Sequence, residues 1–257
     1  VELKWFGTAS VMYQEGEDKL LFDPFFPLNK KLYQPSLAEY AEVKHIFITH
    51  GHFDHLIDVP KILAKGQATV YCSEIVANTL QQDGVESDRI VILNPGDSIE
   101  TGPFTINVIK GRHIVFDKWM LFKTICNYRM LVYHANFRKM LKVSSKFQEG
   151  GQTLLYQIKT KDKHVVHLGS LNLPEDQVYP KNMDMLLIPL QGRSDLNDYT
   201  MPYIKLLEPK TVLLHHFDDS FPPVSSTVDT KEFSKKFKEC FPEIELIVPR
   251  YGEVVTI

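Results

Sequence analysis

The residues most able to do chemistry lie in one short string, Thr49-His50-Gly51-His52-Phe53-Asp54-His55, which sets three imidazoles and a carboxylate within six positions. In an extended stretch side chains alternate, so His50 and His52 project to one side while Asp54 and His55 follow as the chain turns toward a helix. Neutral imidazole nitrogen with carboxylate oxygen is the donor set that zinc and other borderline cations take. The string offers one ion His50 and His52, and a second ion Asp54 and His55. Without a cation, so many groups titrating near neutrality would crowd one another. The mixture of carboxylate with imidazole, and no thiolate, speaks for an open site rather than a closed structural one.

Such a string needs a scaffold that delivers it at a strand end. His45 to Thr49 is a β-branched and aromatic run, and Leu56 to Lys65 reads as a helix, so the cluster is expected at the carboxyl end of a strand, where open sheets place their chemistry. Before it, Leu3 to Phe6, Val11 to Gln14 and Lys19 to Phe22 read as an antiparallel meander punctuated by Gly7 and Gly16. After it come strands at Thr69 to Tyr71, Ile90 to Leu93 and Phe104 to Ile109, with a helix over Glu74 to Gln82. Thr153 to Ile158 and His164 to Leu168 form a hairpin. Met185 to Pro189, Val212 to His215 and Ile244 to Val248 are buried-type strands, with helices around Asp198 to Leu207 and Lys231 to Cys240. The alternation predicts an α/β architecture of two sheets flanked by helices. Lys118 to Phe147 differs: aromatics and methionines alternate with basic residues, which predicts a helical insertion with its apolar side toward the core. A lid over the site and a homo-oligomer contact are the other readings open to it.

The chain of 257 residues carries Lys+Arg 29 against Asp+Glu 32, a net charge of -3, and is 44% apolar. A chain this long buries about 70–75% of its unfolded surface, and with no Pro-, Gly- or Ser-rich linker a single domain over residues 1–257 is expected. The near-neutral balance provides no electrostatic reason to expect nucleic acid or an anionic membrane as a partner. Cys72, Cys126 and Cys240 form no CxxC pair, which fits a reducing, cytoplasmic setting. No signal peptide or membrane span is read. A small-molecule substrate is the partner left.

The string resembles the HxHxDH signature of the metallo-β-lactamase superfamily, and the likeness runs over nearly the whole chain except the 118–147 insertion. The resemblance implies an αβ/βα four-layer sandwich with one or two metal ions at its edge, zinc first, with manganese or iron as alternatives. It implies that His113, after a strand, completes a triad with His50 and His52, and that His216 joins Asp54 and His55. His215 would then face the other side of the strand end. Trp5 to Ser10 is similar to the hairpin of a lactonase-like subgroup, with Thr8 where that subgroup often has His. Leu21-Phe22-Asp23-Pro24 matches a strand-end Asp-Pro beside the metals, which makes Asp23 a candidate to support a ligand.

One element departs from the family. Members with two ions commonly carry Gly-Asp after a buried strand, whereas here Gly169-Ser170 follows His164 to Leu168. A serine hydroxyl is a poor ligand and supplies no bridging charge, so the second site is expected to be the weaker one, or to recruit His167 or an anion. The resemblance thus implies a metal-dependent hydrolase, with Asp54 orienting water, acting on an ester, lactone, amide or phosphoester. The alternative is a catalytically silent metal- or ligand-binding protein. Arg193 in Gly192-Arg193-Ser194-Asp195, and Arg112 beside His113, are candidates to meet an anionic substrate group. Asp218 and Asp219 read as turn residues.

Overall fold

Strand-length runs with apolar residues at every second position build the core of the molecule. The computed structural model describes residues 1–144, 146–148 and 150–257. The first sheet holds β1 (Glu2–Gly7), β2 (Ser10–Glu15), β3 (Asp18–Phe22), β4 (His45–Phe47), β5 (Thr69–Cys72) and β6 (Ile90–Ile92). The second holds β7 (Ser98–Thr101), β8 (Phe104–Lys110), β9 (Leu154–Lys159), β10 (His164–Leu168), β11 (Met185–Pro189), β12 (Thr211–His215) and β13 (Glu245–Ile247). β14 (Val254–Thr256) returns to pair antiparallel with β1 at the edge of the first sheet.

Period two sorts each strand between two environments. Val11, Tyr13, Leu20, Phe22 and Phe47 meet Tyr156, Met185, Leu187 and Leu213 in one apolar layer between the sheets. Their sequence neighbours Met12, Leu21, Ile46 and Ile48 face the other way, onto α3 (Val59–Leu63) and α4 (Glu74–Gln82), which follow α1 (Leu37–Ala41) and α2 (Phe53–Leu56). Leu186, Ile188, Val212 and Leu214 likewise turn outward. They pack on α9 (Met201–Leu207) and α10 (Thr230–Cys240), while α5 to α8 occupy residues Lys118–Ile125, Arg129–Val132, His134–Ser144 and Leu196–Tyr199. The four-layer sandwich expected from the sequence is therefore present.

The details differ at local breaks. The helix expected over Leu56 to Lys65 is interrupted: α2 ends at Leu56 with Ile57 as its C-cap, and Asp58 caps α3, whose first turn holds Pro60. The one expected over Asp198 to Leu207 divides at Thr200 before Pro202 for the same reason. β7, with Ile99 as its one apolar residue, and β14, only three residues long, were not expected from periodicity. The 118–147 insertion is helical, with position 145 outside the described residues, as is position 149 before Gly150-Gly151. Most of its described apolar side chains do not turn to the core: Trp119, Phe122, Tyr128, Leu131 and Leu141 are exposed, Met140 is buried on Phe25 and Phe221, and only near its end does Phe147 join the core layer of the first sheet. A segment inserted after β8 finds both sheet faces already covered, so only the rim of the sandwich is left to pack on.

In both sheets the parallel strands end on the same edge. β3, β4 and β5 run parallel, as do β10, β11 and β12. The sheets are tied there by Leu154 N donating to Thr49 O at 2.8 Å, His216 N to Thr8 O at 2.8 Å, and the Tyr156 hydroxyl to Ile48 O at 2.7 Å.

Inside the central layer His167 shares a 2.8 Å hydrogen bond with the Tyr13 hydroxyl and stacks on Phe22 at 4.8 Å. Burial pushes its pKa down to about 4. Above about pH 6.5 this imidazole is neutral folded and unfolded alike. As pH falls below that, the unfolded chain takes the proton first, and stability drops by up to about 1.4 kcal/mol per pH unit. The decline from this group ends where the folded imidazole itself protonates, near 4. His167→Phe should lose about 1 kcal/mol with the Tyr13 bond. Its urea midpoint, measured on metal-free protein, should fall less steeply than wild type between about pH 6 and pH 4.5; parallel declines would show that His167 carries no proton linkage.

Candidate metal centre

The edge where the parallel strands end gathers the ligand string of the first sheet and the loops of the second. His50 follows β4, His52 is the N-cap of α2, and Asp54 and His55 lie within that helix. His113 is on the loop after β8, and His216 directly follows β12. One donor atom each from His50, His52 and His113 lie within 4.8 Å of one another, and the same holds for Asp54, His55 and His216. The six side chains picked out from the sequence thus form two triads at adjacent places.

Their orientations are set by hydrogen bonds on the far side of each ring. The Thr49 hydroxyl donates to Asp23 Oδ2 at 2.7 Å and accepts from His50 Nδ1 at 3.0 Å, which leaves His50 Nε2 buried without a protein partner. His113 Nδ1 donates to Ile114 O at 2.8 Å, freeing its Nε2. His55 Nδ1 donates to Asp23 Oδ2 at 2.9 Å, and His216 Nε2 to Asp54 Oδ2 at 3.1 Å, with His216 Nδ1 buried and unpartnered. Carboxylate- and carbonyl-oriented imidazoles with one nitrogen left over are the arrangement metal-ligating histidines adopt.

Electrostatics agree with that use. Burial, and then the neighbouring His52, push His113 down to about 3. Burial, then His55, holds His50 well below its ordinary value. Both therefore stay neutral, as ligands must. Asp54 is buried, which would raise its pKa, but His55 and His216 hold its carboxyl well below the usual range. His55 is likewise disfavoured as a cation by burial, yet Asp23 and Asp54 raise it above its ordinary value. Two buried nitrogens without a protein partner, within a set of five imidazole nitrogens and a carboxylate, fit a cation of the zinc type.

Backbone strain marks the same edge. Thr8, Asp23 and His216 adopt φ of 50°, 45° and 56°, in the left-handed region that residues other than glycine rarely enter. The structure holds each in place: Thr8 N donates to Asp218 Oδ1 at 3.0 Å, and Asp23 Oδ1 accepts from Thr49 N at 2.8 Å. Thr8 O receives His216 N, so Thr8 positions the last histidine although it offers no ring of its own. Neither Thr8 nor Thr49 stood out by type; threonines are common, and only the pairing across the sheets gives them a task. Gly169 is needed for a similar reason, since a Cβ there would meet the Thr49 Cβ at 2.1 Å.

Other expectations resolve as follows. Ser170 lines the cavity, and its hydroxyl accepts from Ile114 N at 2.9 Å, steadying the His113 loop. His167 is not recruited to the second triad, being turned into the inter-sheet layer on Tyr13. His215 does face away from the triads, donating from Nε2 to Leu168 O at 3.0 Å. Arg193 does not line the cavity: its guanidinium is held by Asp195 and by Val115 O at 2.9 Å and lies over Tyr199. Arg112 is exposed. Asp218 braces Thr8 N, Ser220 and the Tyr251 hydroxyl, and Asp219 pairs with Arg129. Both are structural, as their turn position suggested.

A profile of the beta-lactamase superfamily domain matches residues 18–217. The chain belongs to the metallo-β-lactamase superfamily. A protein from Chelativorans sp. named a metal-dependent hydrolase is 30% identical over a stretch covering 44% of this chain and 48% of that one. Another so named, from Methanopyrus kandleri, is 22% identical over 98% of both chains. Among solved structures, a metallo hydrolase from the archaeon Ignicoccus hospitalis superposes with a TM-score of 0.69 at 21% identity, covering 99% of this chain and 97% of the other. That likeness carries the fold of the superfamily.

Asp23→Asn should remove the charge that orients His55 directly and should disturb the His50, His52 and His113 triad less, because Asp23 reaches His50 only through Thr49. Zinc competition titration is expected to show the second-triad affinity weakened about 10- to 100-fold, with the first weakened clearly less. Equal weakening of both triads would mean that Asp23 supports the whole edge rather than His55.

Proposed function

We propose that this protein is a metal-dependent hydrolase that directs an activated water at an ester, lactone or phosphoester bond of a small molecule. The supporting observation is the pair of adjoining triads, one of three imidazoles and one containing an ionised aspartate, lining a single cavity of about 310 Å³. The names carried by the relatives point the same way. His50, His52 and His113 would hold a divalent ion, zinc by donor type, which would supply Lewis acidity to activate water and to polarise the bond under attack.

The chain's own groups complete the reaction. Asp54, kept ionised by His55 and His216, orients the attacking water and accepts its proton. Asp23 fixes His55 from behind, and Thr49 fixes His50. The walls of the cavity are largely apolar, with Phe53, Ile114, Phe116, Met120, Phe147 and Phe221 among them, and they exclude bulk water from the reacting groups. No Lys or Arg lines it among the described residues. A neutral ester or lactone with an apolar body suits these walls better than a phosphorylated metabolite, whose charge would find no side-chain cation.

Ser170 favours a second reading, a protein of the same fold that binds metal or ligand without turnover. Ser170 follows Gly169 at the place in sequence where the resemblance implies a bridging carboxylate, so the second triad is expected to hold an ion less firmly. Turnover separates the two readings. Zinc-loaded protein should hydrolyse a generic aryl ester or lactone, and His52→Ala should lower kcat/KM by about a thousandfold or more, the scale on which losing transition-state electrostatics is felt. Activity that survives His52→Ala or exhaustive chelation would remove the mechanism. Elemental analysis of Ser170→Asp should show zinc per chain rising from near one toward two; an unchanged ratio would show that the serine does not limit the second triad.

A further inference from the structure

The whole-chain charge balance hides a segregated distribution. Between positions 118 and 147 fall seven of the 29 Lys and Arg and none of the 32 Asp and Glu, so a chain of net charge -3 carries one segment of +7. The same segment holds the densest exposed apolar surface. Trp119 is 57% exposed, Phe122 56%, Tyr128 75% and Leu131 80%, and Trp119 stacks on Phe122 with ring centroids 5.8 Å apart. Aromatics more than half exposed beside lysines are costly to keep in water, and they mark a surface that meets something else.

The segment is also fastened to the body of the molecule beside the cavity. Arg129 pairs with Asp219 and donates to Ser225 O at 3.1 Å, Asn136 donates to Pro222 O at 3.2 Å, and Met140 is buried on Phe25 and Phe221. Met120, one residue past Trp119, walls the cavity, and Phe116 both walls it and is exposed. The apolar and basic face therefore borders the mouth through which a substrate would enter.

We propose that the 118–147 segment docks this protein on an anionic lipid surface, with Trp119, Phe122 and Leu131 entering the headgroup region and Lys118, Arg138 and Lys142 resting on lipid phosphates. Charge selects this occupant. Arg129 and Lys146 are paired with Asp219 and Asp83, and a second copy of the chain in a two-fold contact would still press the remaining cations against their own copies, which disfavours the same face as a dimer interface. An anionic bilayer offers negative charge to the cations and a hydrocarbon boundary to the rings, the pairing that interfacial helices exploit. No helix among the described residues is long and apolar enough to cross a membrane, so the contact is peripheral. Docking there sets the mouth of an apolar cavity against the phase in which apolar esters partition.

The chain has two tryptophans, and Trp5 is only 2% exposed, so emission changes report Trp119. With vesicles of mixed phosphatidylglycerol and phosphatidylcholine, emission should shift to shorter wavelength and be quenched by brominated acyl chains. Association should fall about tenfold or more with phosphatidylcholine alone or in high salt. In co-sedimentation, Phe122→Ser with Leu131→Ser, and separately Lys118→Glu with Lys142→Glu, should each lose most vesicle binding while the emission of buried Trp5 keeps its native position. Absence of a shift with anionic vesicles, equal binding to neutral ones, or retention of binding by either variant overturns the proposal. A Trp119 response to polyglutamate but not to vesicles overturns it in favour of an acidic polypeptide. All of this is read without turnover, so it stands or falls apart from the hydrolase reading.

Discussion

The site depends on one buried carboxylate. Asp23 has no exposed surface, and it sits in the left-handed region immediately after β3. An unpaired carboxylate in such a place would cost several kcal/mol, so the surrounding structure must supply its donors. The donors shown are the Thr49 amide, the Thr49 hydroxyl and His55 Nδ1, and every one belongs to the string that carries the ligands. Satisfying Asp23 therefore dictates how the chain leaves β4. With the Thr49 hydroxyl hydrogen committed to Asp23, its oxygen is left as an acceptor for His50 Nδ1, and the ring is turned to leave Nε2 free for the site.

The second sheet answers this with strain of its own. His216 leaves β12 at a positive φ, kept there by Thr8 O from the opposite sheet, and strain of this type costs of order 1–3 kcal/mol per residue. The cost is met by the large inter-sheet layer, in which Trp5 stacks on Phe217 and Tyr251 at 4.6 and 4.7 Å and braces the hairpin that carries Thr8. A rigid sandwich with its ligands on strand ends gives a cation site that needs little rearrangement to bind, while the loops and the helical insertion remain free to define what reaches it. The apolar walls lower the local dielectric, which strengthens the pull of Asp54 on its imidazole neighbours and of any cation on a reacting bond.

The insertion shows why helical character and burial have to be judged separately. Aromatics interleaved with lysines indicated helices correctly, and the usual consequence of such a pattern is an apolar side packed on a core. Here the sandwich has no uncovered face, since α3 and α4 shield one sheet and α9 and α10 the other. Most of the insertion's described apolar side chains, Phe147 apart, are left at the rim, and their exposure follows from where the segment enters the fold rather than from its composition.

The strand periodicity and the His-Gly-His-Phe-Asp-His string were legible along the chain because both depend on neighbours in sequence: side-chain alternation is a property of the extended backbone, and four of the six clustered groups lie within six residues. His113 and His216 were legible only through family likeness, since nothing local distinguishes them from solvated histidines. What tertiary structure alone decided was partnership. Arg193 was spent on Asp195 rather than a substrate, and Ser170 was turned to the amide of Ile114. His167 was drawn into the layer between the sheets, and Thr8 was set against His216 across a separation of more than two hundred residues. A side chain's type states which bonds it can make, but the bond it does make depends on which donor or acceptor the folded chain brings within about 3 Å, and that is a property of the whole sandwich.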